Sequence, residues 1–535
     1  MPEPAPLRTE DALDELVNQF ADPMSFLREL VQNALDAGSS EVEISVGWQG
    51  GDAGPGVAVT LVEDWGVGMT REIIETRLTR LFSSDKDGDK TKIGKFGIGF
   101  VSVFAIGPDA VCVDTSRDGQ SWRVLFDVGR RFELRRLDMP VDGTKVRVYK
   151  SMDRGEYDAF VARARQVVEY WCRHSRGEIR FDGQLVNRPL DLDAPCRVVA
   201  DDGFSRIVVG HPADGRSFFG FYNGGLTLLE GGERYLPGLA FKVSSPHLEH
   251  TLTRDSIIED AGFDRVMQSL RRTVSGPLEQ RTFELLEGQL ASGRGESLRY
   301  LYGAARWHAQ HGRLPTVANR AVFRSPSGSA ITVARVQGRH RERLVLLAKV
   351  RSPMTDALEQ AGFTVIDASV DEVVPVLARV AADSATLHLV EERFAMPLLA
   401  RADEEGRWAP LARAVSLLLT DWGAKVSSVE LAHFDYPGSS IAGFLAITQR
   451  QLGELTPRDE IEQLGTGMFS RRRLLVINAD HPAVAPLLRL AAREPEFAAY
   501  SLVKSFFVGT QLDPEVDGRL VDCAARRRWQ TKSMR

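Results

Sequence analysis

Cysteine is scarce in this sequence, and its spacing excludes the common thiol-based sites. The four residues of this type, Cys112, Cys172, Cys196 and Cys523, never form a CxxC pair. Their scatter excludes a zinc ribbon and argues against a secreted scaffold that is held together by disulfides.

Long apolar runs and a strong excess of one charge are missing as well. No uninterrupted apolar stretch approaches the roughly 18 residues that a membrane-spanning helix needs. The first twenty residues lack the basic patch and apolar run of a signal peptide. The formal net charge of -6 gives no global attraction for nucleic acid or anionic lipid. We therefore expect a cytoplasmic protein with no membrane partner.

The length and the pattern of the chain predict several domains. A chain of 535 residues is too long for one compact core. The first segment is typical of mixed α and β structure, a long helical pattern begins near residue 156, and strand and helix patterns alternate beyond the glycine- and serine-containing run at 291–297. We expect an α+β protein with an N-terminal α/β sandwich at 1–150, a middle α/β domain at 151–292, and α/β domains at 293–395 and 396–535.

The first strong helical pattern, SFLRELVQNALDAGSS, carries acid and amide groups on one face. Glu29, Asn33 and Asp36 stand at positions i, i+4 and i+7, which fall within a narrow sector of a helix. This stripe is either the solvated side of a surface amphipathic helix or one wall of a site. The two explanations are distinguished by whether another segment of the chain, a partner of this stripe, could form the rest of a site.

An aspartate at the end of a predicted strand is the first such partner. In EDWGVGMT, Asp64 follows a Val- and Leu-rich strand, and a carboxylate there can accept a hydrogen bond from an exocyclic amine such as that of adenine. Gly66 and Gly68 leave room for a flat base to approach the backbone, and Met69 offers an apolar wall. A tight turn explains the same pattern equally well.

A glycine loop before an apolar helical stretch is the second partner. IGKFGIGFVSVF contains Gly94, Gly97 and Gly99, whose backbone amides can hold phosphate oxygens, and Lys95 adds a cation. The spacing fits neither a P-loop nor a dinucleotide fingerprint. Close helix packing is the alternative explanation for these glycines.

Taken together in this order, the segments resemble the Bergerat-fold ATPase superfamily called GHKL. The order is E-x-x-x-N-x-x-D-A, then D-x-G-x-G-M, then G-K-F-G-I-G-F, then Gly143-Thr144 before a strand. Within that superfamily the chain looks most like the HtpG-type, 90-kilodalton heat-shock chaperones, from which it departs chiefly at Lys95, where a glutamine is usual. The resemblance is strong over residues 24–149 and fair over about 151–290.

The resemblance implies a role for each matching residue. Glu29 would be the general base for the attacking water, Asn33 would ligate Mg²⁺, and Asp64, supported by Thr144, would bind the adenine amine. The polar stretch at 83–92 would be a lid over bound ATP. The further residues that would line the nucleotide and phosphate pocket are Asp36, Gly66, Gly68, Met69, Lys95, Phe96, Gly97, Ile98, Gly99 and Phe100.

A downstream segment, HTLTRDSIIED, resembles the part of these chaperones that delivers an arginine to the γ-phosphate. Arg254 is the matching position, and such a cation stabilises charge in phosphoryl transfer. The alternative is a helix start capped by Thr253 or Asp255, with Arg254 in solvent. A catalytic Arg254 would couple hydrolysis to docking of the middle domain.

The function that follows from the resemblance is an HtpG-like, ATP-driven conformational switch with ATP and Mg²⁺ as cofactors. It also implies protein clients and a homodimer, with 396–535 as the candidate dimerisation region. The main alternative is a DNA-directed ATPase similar to MutL or MORC proteins, which the acidic net charge does not favour. A histidine kinase lacks support because no phosphoacceptor helix precedes the ATP module, and a nucleotide-gated module without turnover would not need Glu29 and Arg254.

Overall fold

A computed structural model describes most of the chain and divides it into two compact units, Met1–Arg281 and Thr282–Arg535. The described residues are 17, 22–51, 54–79, 98–251, 256–292, 295–311, 318–338, 343–382, 385–453, 455–458, 461, 473–507 and 514–534. None of the helices in this described part has the length and apolar character that crossing a membrane requires.

An eight-stranded sheet dominates the beginning of the first unit. Its order is β5-β4-β3-β6-β2-β1-β7-β8, and all neighbours are antiparallel except β1 and β7. The strands are β1 (Glu41–Gly50), β2 (Pro55–Asp64), β3 (Ala110–Arg117), β4 (Gln120–Phe126), β5 (Phe132–Leu137), β6 (Thr144–Asp153), β7 (Glu178–Phe181) and β8 (Gln184–Leu185). This large antiparallel sheet confirms the predicted α+β class.

Helices pack on this sheet through one hydrophobic core. They are α1 (Phe26–Asp36) after a 3₁₀ turn (Pro23–Ser25), α2 (Arg71–Ile73) with a π turn (Ile74–Leu78), α3 (Ile98–Val101) with a 3₁₀ turn (Ser102–Ile106), and α4 (Arg154–Cys172). Alternate residues of β1 are buried under them, as expected for a strand with one covered face. Leu27, Val31 and Ala34 bury the opposite side of α1 from its acid and amide stripe.

The sheet and its core extend beyond residue 150. Strands β7 and β8 complete the sheet, and Ile179, Phe181 and Val186 belong to the same core as α1. The division into four domains remains a prediction.

A second sheet completes the first unit. It has five strands in the order β12-β11-β13-β10-β9, with β11 and β13 parallel and the other neighbours antiparallel. Its elements are β9 (Cys196–Asp201), β10 (Arg206–His211), β11 (Phe218–Asn223), β12 (Leu226–Gly231), β13 (Ala240–Ser244), α5 (Ala261–Thr273) and a π turn (Val274–Leu278).

The second unit is built from small α/β layers. A parallel sheet, β17-β16-β18, and a mixed sheet, β20-β23-β21, each pack against helices, which confirms the α/β pattern predicted beyond residue 297. The helices are α6 (Glu279–Ser292), α7 (Gly295–His311), α8 (Val333–Gln337), α9 (Pro353–Gln360), α10 (Val373–Ala381), α11 (Val390–Arg393), α12 (Glu405–Trp422), α13 (Val484–Ala491), α14 (Pro495–Phe507) and α15 (Pro514–Ser533). The strands are β14 (Phe323–Arg324), β15 (Ala330–Ile331), β16 (Leu344–Ala348), β17 (Thr364–Asp367), β18 (Thr386–Leu389), β19 (Phe394–Ala395), β20 (Val426–Ala432), β21 (Ala446–Gln449), β22 (Thr456–Pro457) and β23 (Arg473–Asn478).

Candidate functional site

Asp64 is a buried carboxylate on an inner strand of the large sheet. It is the last residue of β2 and lies opposite Val42 of β1 and Thr144 of β6, with 8% of its surface exposed. Its Oδ1 accepts a hydrogen bond from the Gly66 amide at 2.8 Å, and the Thr144 amide also donates to the carboxylate. Burial raises the pKa of Asp64 above its usual value, although both amides oppose that shift. A carboxylate held by two donors still has lone pairs for a third.

The turn after Asp64 lies against the end of α1. The Val67 amide donates to the Ala37 carbonyl at 3.0 Å, and the Trp65 amide donates to Ser39 Oγ at 2.9 Å. Asp64 and the end of the acid and amide stripe therefore lie close together. Sequence reasoning did not single out Ser39, because its role depends on a contact between segments 26 residues apart.

Gly66 and Gly68 are required by the packing of this turn. A Cβ atom on Gly66 would lie 2.8 Å from Ala37 Cβ. Gly68 has a φ of +64°, and a Cβ atom there would lie 2.1 Å from the Ser116 carbonyl oxygen. The tight turn that was the alternative explanation of D-x-G-x-G is therefore present, and it also holds the backbone next to Asp64.

Thr115 connects the turn to the strands behind it. The Met69 amide donates to Thr115 Oγ1 at 3.0 Å, and Thr115 Oγ1 lies 3.0 Å from Thr144 Oγ1. Thr115 is fully buried on β3, directly opposite Thr144. Four predicted residues, Asp64, Gly66, Met69 and Thr144, are thus connected by hydrogen bonds, and Gly68 lies in the same turn. Thr115 is a member of this group that sequence reasoning missed.

The stripe on α1 has one buried and two exposed members. Glu29 is 2% exposed, whereas the side chains of Asn33 and Asp36 are exposed. Glu29 and Asp36 are about 10 Å apart along the helix axis, at a rise of ~1.5 Å per residue. Glu29 and the turn that follows Asp64 therefore lie near opposite ends of α1.

The described part of the glycine loop begins at α3, which contacts α1. Phe100 is buried, and its ring centroid lies 5.6 Å from that of Phe126 and 6.3 Å from that of Phe104. The Phe100 ring thus packs in the core. Gly99 is described; Lys95, Phe96, Gly97, the Ile98 side chain and the predicted lid at 83–92 lie outside the described residues.

Arg254 also lies outside the described residues, but its flanks are described. His250 and Ile257 form a β-bridge, and the Thr251 amide donates to the Ser256 carbonyl at 3.0 Å. Burial and then the positive charge of Arg28 lower the pKa of His250. Backbone pairing therefore joins the described residues on the two sides of Arg254.

Comparison with known proteins relates the first part of the chain to ATPases. Residues 23–133 match the family model described as histidine kinase-, DNA gyrase B-, and HSP90-like ATPase. Chaperone protein HtpG of Oleidesulfovibrio alaskensis is 32% identical over 161 residues, covering 25% of this chain and 25% of the relative. HtpG of Anaplasma phagocytophilum is 37% identical over 127 residues, covering 21% of this chain and 19% of the relative.

A mismatch repair protein is similar over a longer segment. DNA mismatch repair protein MutL of Citrifermentans bemidjiense is 30% identical over 216 residues, covering 36% of this chain and 31% of the relative. The chain therefore matches only about a quarter of the length of the HtpG protein of Oleidesulfovibrio alaskensis, 25%.

Proposed function

We propose an ATP-driven function for this chain, on the premise that residues 23–133 form a GHKL ATPase domain that resembles HtpG. The chain would bind ATP with Mg²⁺ and hydrolyse it, and it would use the cycle to change shape as an HtpG-like chaperone. The observation that carries the proposal is the buried Asp64 carboxylate, which is held by two backbone amides at the end of the helix that bears Glu29.

Each group would have a distinct task in binding. Asp64 would accept a hydrogen bond from the adenine amine, and Thr144 and Thr115 would fix the carboxylate and the turn around it. Asn33 would offer an exposed amide oxygen to Mg²⁺, which takes its remaining ligands from phosphates and water. The backbone of Gly97, Ile98 and Gly99 would hold phosphate oxygens at the start of α3.

Glu29 and Arg254 would carry the chemical step. Glu29 would orient the attacking water and accept its proton, which needs a carboxylate in a site that excludes bulk solvent. Arg254 would stabilise charge on the γ-phosphate. The segment that flanks Arg254 and the helix that bears Glu29 belong to the same compact unit, which supports this assignment.

DNA-directed ATP hydrolysis is the second candidate function, because the MutL match extends over more of the chain than the HtpG matches. The net charge of -6 weakens it, since binding to DNA rests on cationic contacts with phosphate. Protein clients, the homodimer and the dimerisation role of 396–535 belong to the HtpG-like proposal.

Steady-state ATP turnover of the full chain separates the two functions. We expect hydrolysis without additions, a several-fold increase with a chemically unfolded protein, and no change with duplex DNA. Stimulation by DNA that falls steeply with salt would instead assign the second function, and light scattering on the same sample measures the oligomeric state.

A further inference from the structure

A cavity of about 650 Å³ lies beside the second sheet of the first unit. Its wall includes Lys242 of β13, Phe218 of β11 and His174, which follows α4, while Arg188 and Arg216 are exposed at its edge. These residues belong to different elements from the Asp64 site. The volume is within the range of pockets that hold small organic ligands, roughly 300–1,000 Å³.

Lys242 occupies an unusual place for a lysine. Strand β13 is the central strand of the five-stranded sheet, and Lys242 lies between Val208 and Gly220 on the neighbouring strands. The four remaining residues of β13 are all buried. Lysine is among the residues least often found in such positions unless it has a charged partner.

Lys242 forms a hydrogen bond with a neutral side chain, and its Nζ lies 5.9 Å from the centroid of the Phe218 ring. Its Nζ lies 3.1 Å from His174 Nε2, and His174 Nδ1 lies 2.9 Å from the Arg188 carbonyl oxygen. Because Nδ1 must donate to that carbonyl and Nε2 must accept from the ammonium, the imidazole is neutral. Burial lowers the pKa of His174, which is consistent with this state.

Two carboxylates that act on Lys242 are paired with arginines, and Asp193 and Asp214 also line the cavity. Glu230 accepts from Arg173, and Asp191 accepts from Arg197 at 2.8 Å. Within the described part of the chain, no carboxylate forms an ion pair with Lys242, and burial lowers the pKa of its ammonium. A partly desolvated charge of this kind is stabilised by a counter-ion in the adjacent cavity.

Further cations and an apolar wall define the chemistry of a ligand. Arg188 and Arg216 add positive charge at the opening, although Asp214 lies 3.8 Å from Arg216 and offsets part of it. Leu192 and Phe218 provide apolar surface. An ion alone would leave most of the cavity unfilled. A small molecule with one anionic end would contact both the cations and the apolar surface of the cavity.

We propose that this cavity binds a small organic phosphate, with the phosphate group between Lys242 and the arginines at the opening. A phosphate monoester carries close to two negative charges at neutral pH and presents three acceptor oxygens, which suits one ammonium and two guanidinium groups. The site is independent of the proposed ATP site.

Calorimetric titration of the full chain with glucose 6-phosphate, and separately with inorganic phosphate, tests the proposal at ionic strength matched with NaCl. We expect glucose 6-phosphate to bind more tightly than inorganic phosphate, and Lys242→Met to weaken its binding at least tenfold. Arg188→Ala, at an exposed position whose backbone carbonyl is retained, should weaken binding severalfold. Equal affinity for the two probes would assign the cavity to the free ion and overturn the organic ligand.

Two controls separate this site from other phosphate binding. Lys349→Met removes an exposed lysine of the second unit, and Asp64→Asn alters the proposed adenine site; both should bind glucose 6-phosphate like the unmodified chain. Loss of the signal in Asp64→Asn, or unchanged binding in Lys242→Met, would overturn the proposal. Thermal melting should show that Lys242→Met folds, because it removes a charge that has no ion pair.

Discussion

Replacing Glu29 by alanine is expected to lower the turnover number for ATP about 100-fold or more and to change ATP affinity by less than about threefold. General bases typically contribute factors of roughly 10²–10⁴ to a rate, and loss of the water-orienting carboxylate does not remove contacts to the adenine or the phosphates. Glu29 is 2% exposed in the first turn of α1, so few water molecules could replace its carboxylate. The measurements are steady-state hydrolysis and equilibrium ATP binding on the same preparation.

Two further variants make the Glu29 result specific. Glu29→Gln keeps the size of the side chain and should also be inactive, which separates lost basicity from a packing defect. Glu405→Ala changes an exposed glutamate of the second unit and should hydrolyse ATP normally. Near-normal turnover in both Glu29 variants would contradict the general-base role.

Replacing Asp64 by asparagine is expected to weaken ATP binding by about 30-fold or more. The amide oxygen of asparagine can keep one of the two backbone hydrogen bonds, but its NH₂ group would face the adenine amine, donor against donor. An unmatched buried polar contact costs about 2 kcal/mol, which corresponds to a factor of ~30. Titration with ATP measures this loss directly.

Glu63→Gln is the matched control for Asp64. Glu63 is the preceding residue on β2, and it forms an ion pair with Lys145 on β6. Alternation along the strand directs the two side chains to opposite faces of the sheet, so this substitution should leave ATP affinity unchanged. Equal weakening in both variants would indicate a general defect of β2 and not a lost adenine contact.

Local patterns were sufficient to predict the elements that carry the site. A Val- and Leu-rich run predicted β2 with Asp64 after it, and the helical pattern of SFLRELVQNALDAGSS predicted α1. These features depend on residues within one turn or one strand. The burial of Glu29, a member of the polar stripe, was not predictable in this way.

Contacts between distant segments could not be predicted in the same way. The parallel pairing of β7 with β1 joins residues more than 130 positions apart, and it extends the sheet beyond the expected boundary at 150. Thr115 and Ser39 act through single hydrogen bonds across the fold. The packing of the Phe100 ring against Phe126 on β4 is another contact of this kind.

A structure of the full chain with Mg²⁺ and a non-hydrolysable ATP analogue tests most directly whether α1 and the end of β2 serve one nucleotide. We expect the adenine amine within hydrogen-bond distance of the Asp64 carboxylate, and the γ-phosphate at the end of α1 that bears Glu29. An analogue bound elsewhere, or one whose triphosphate runs away from Glu29, would contradict the proposed site.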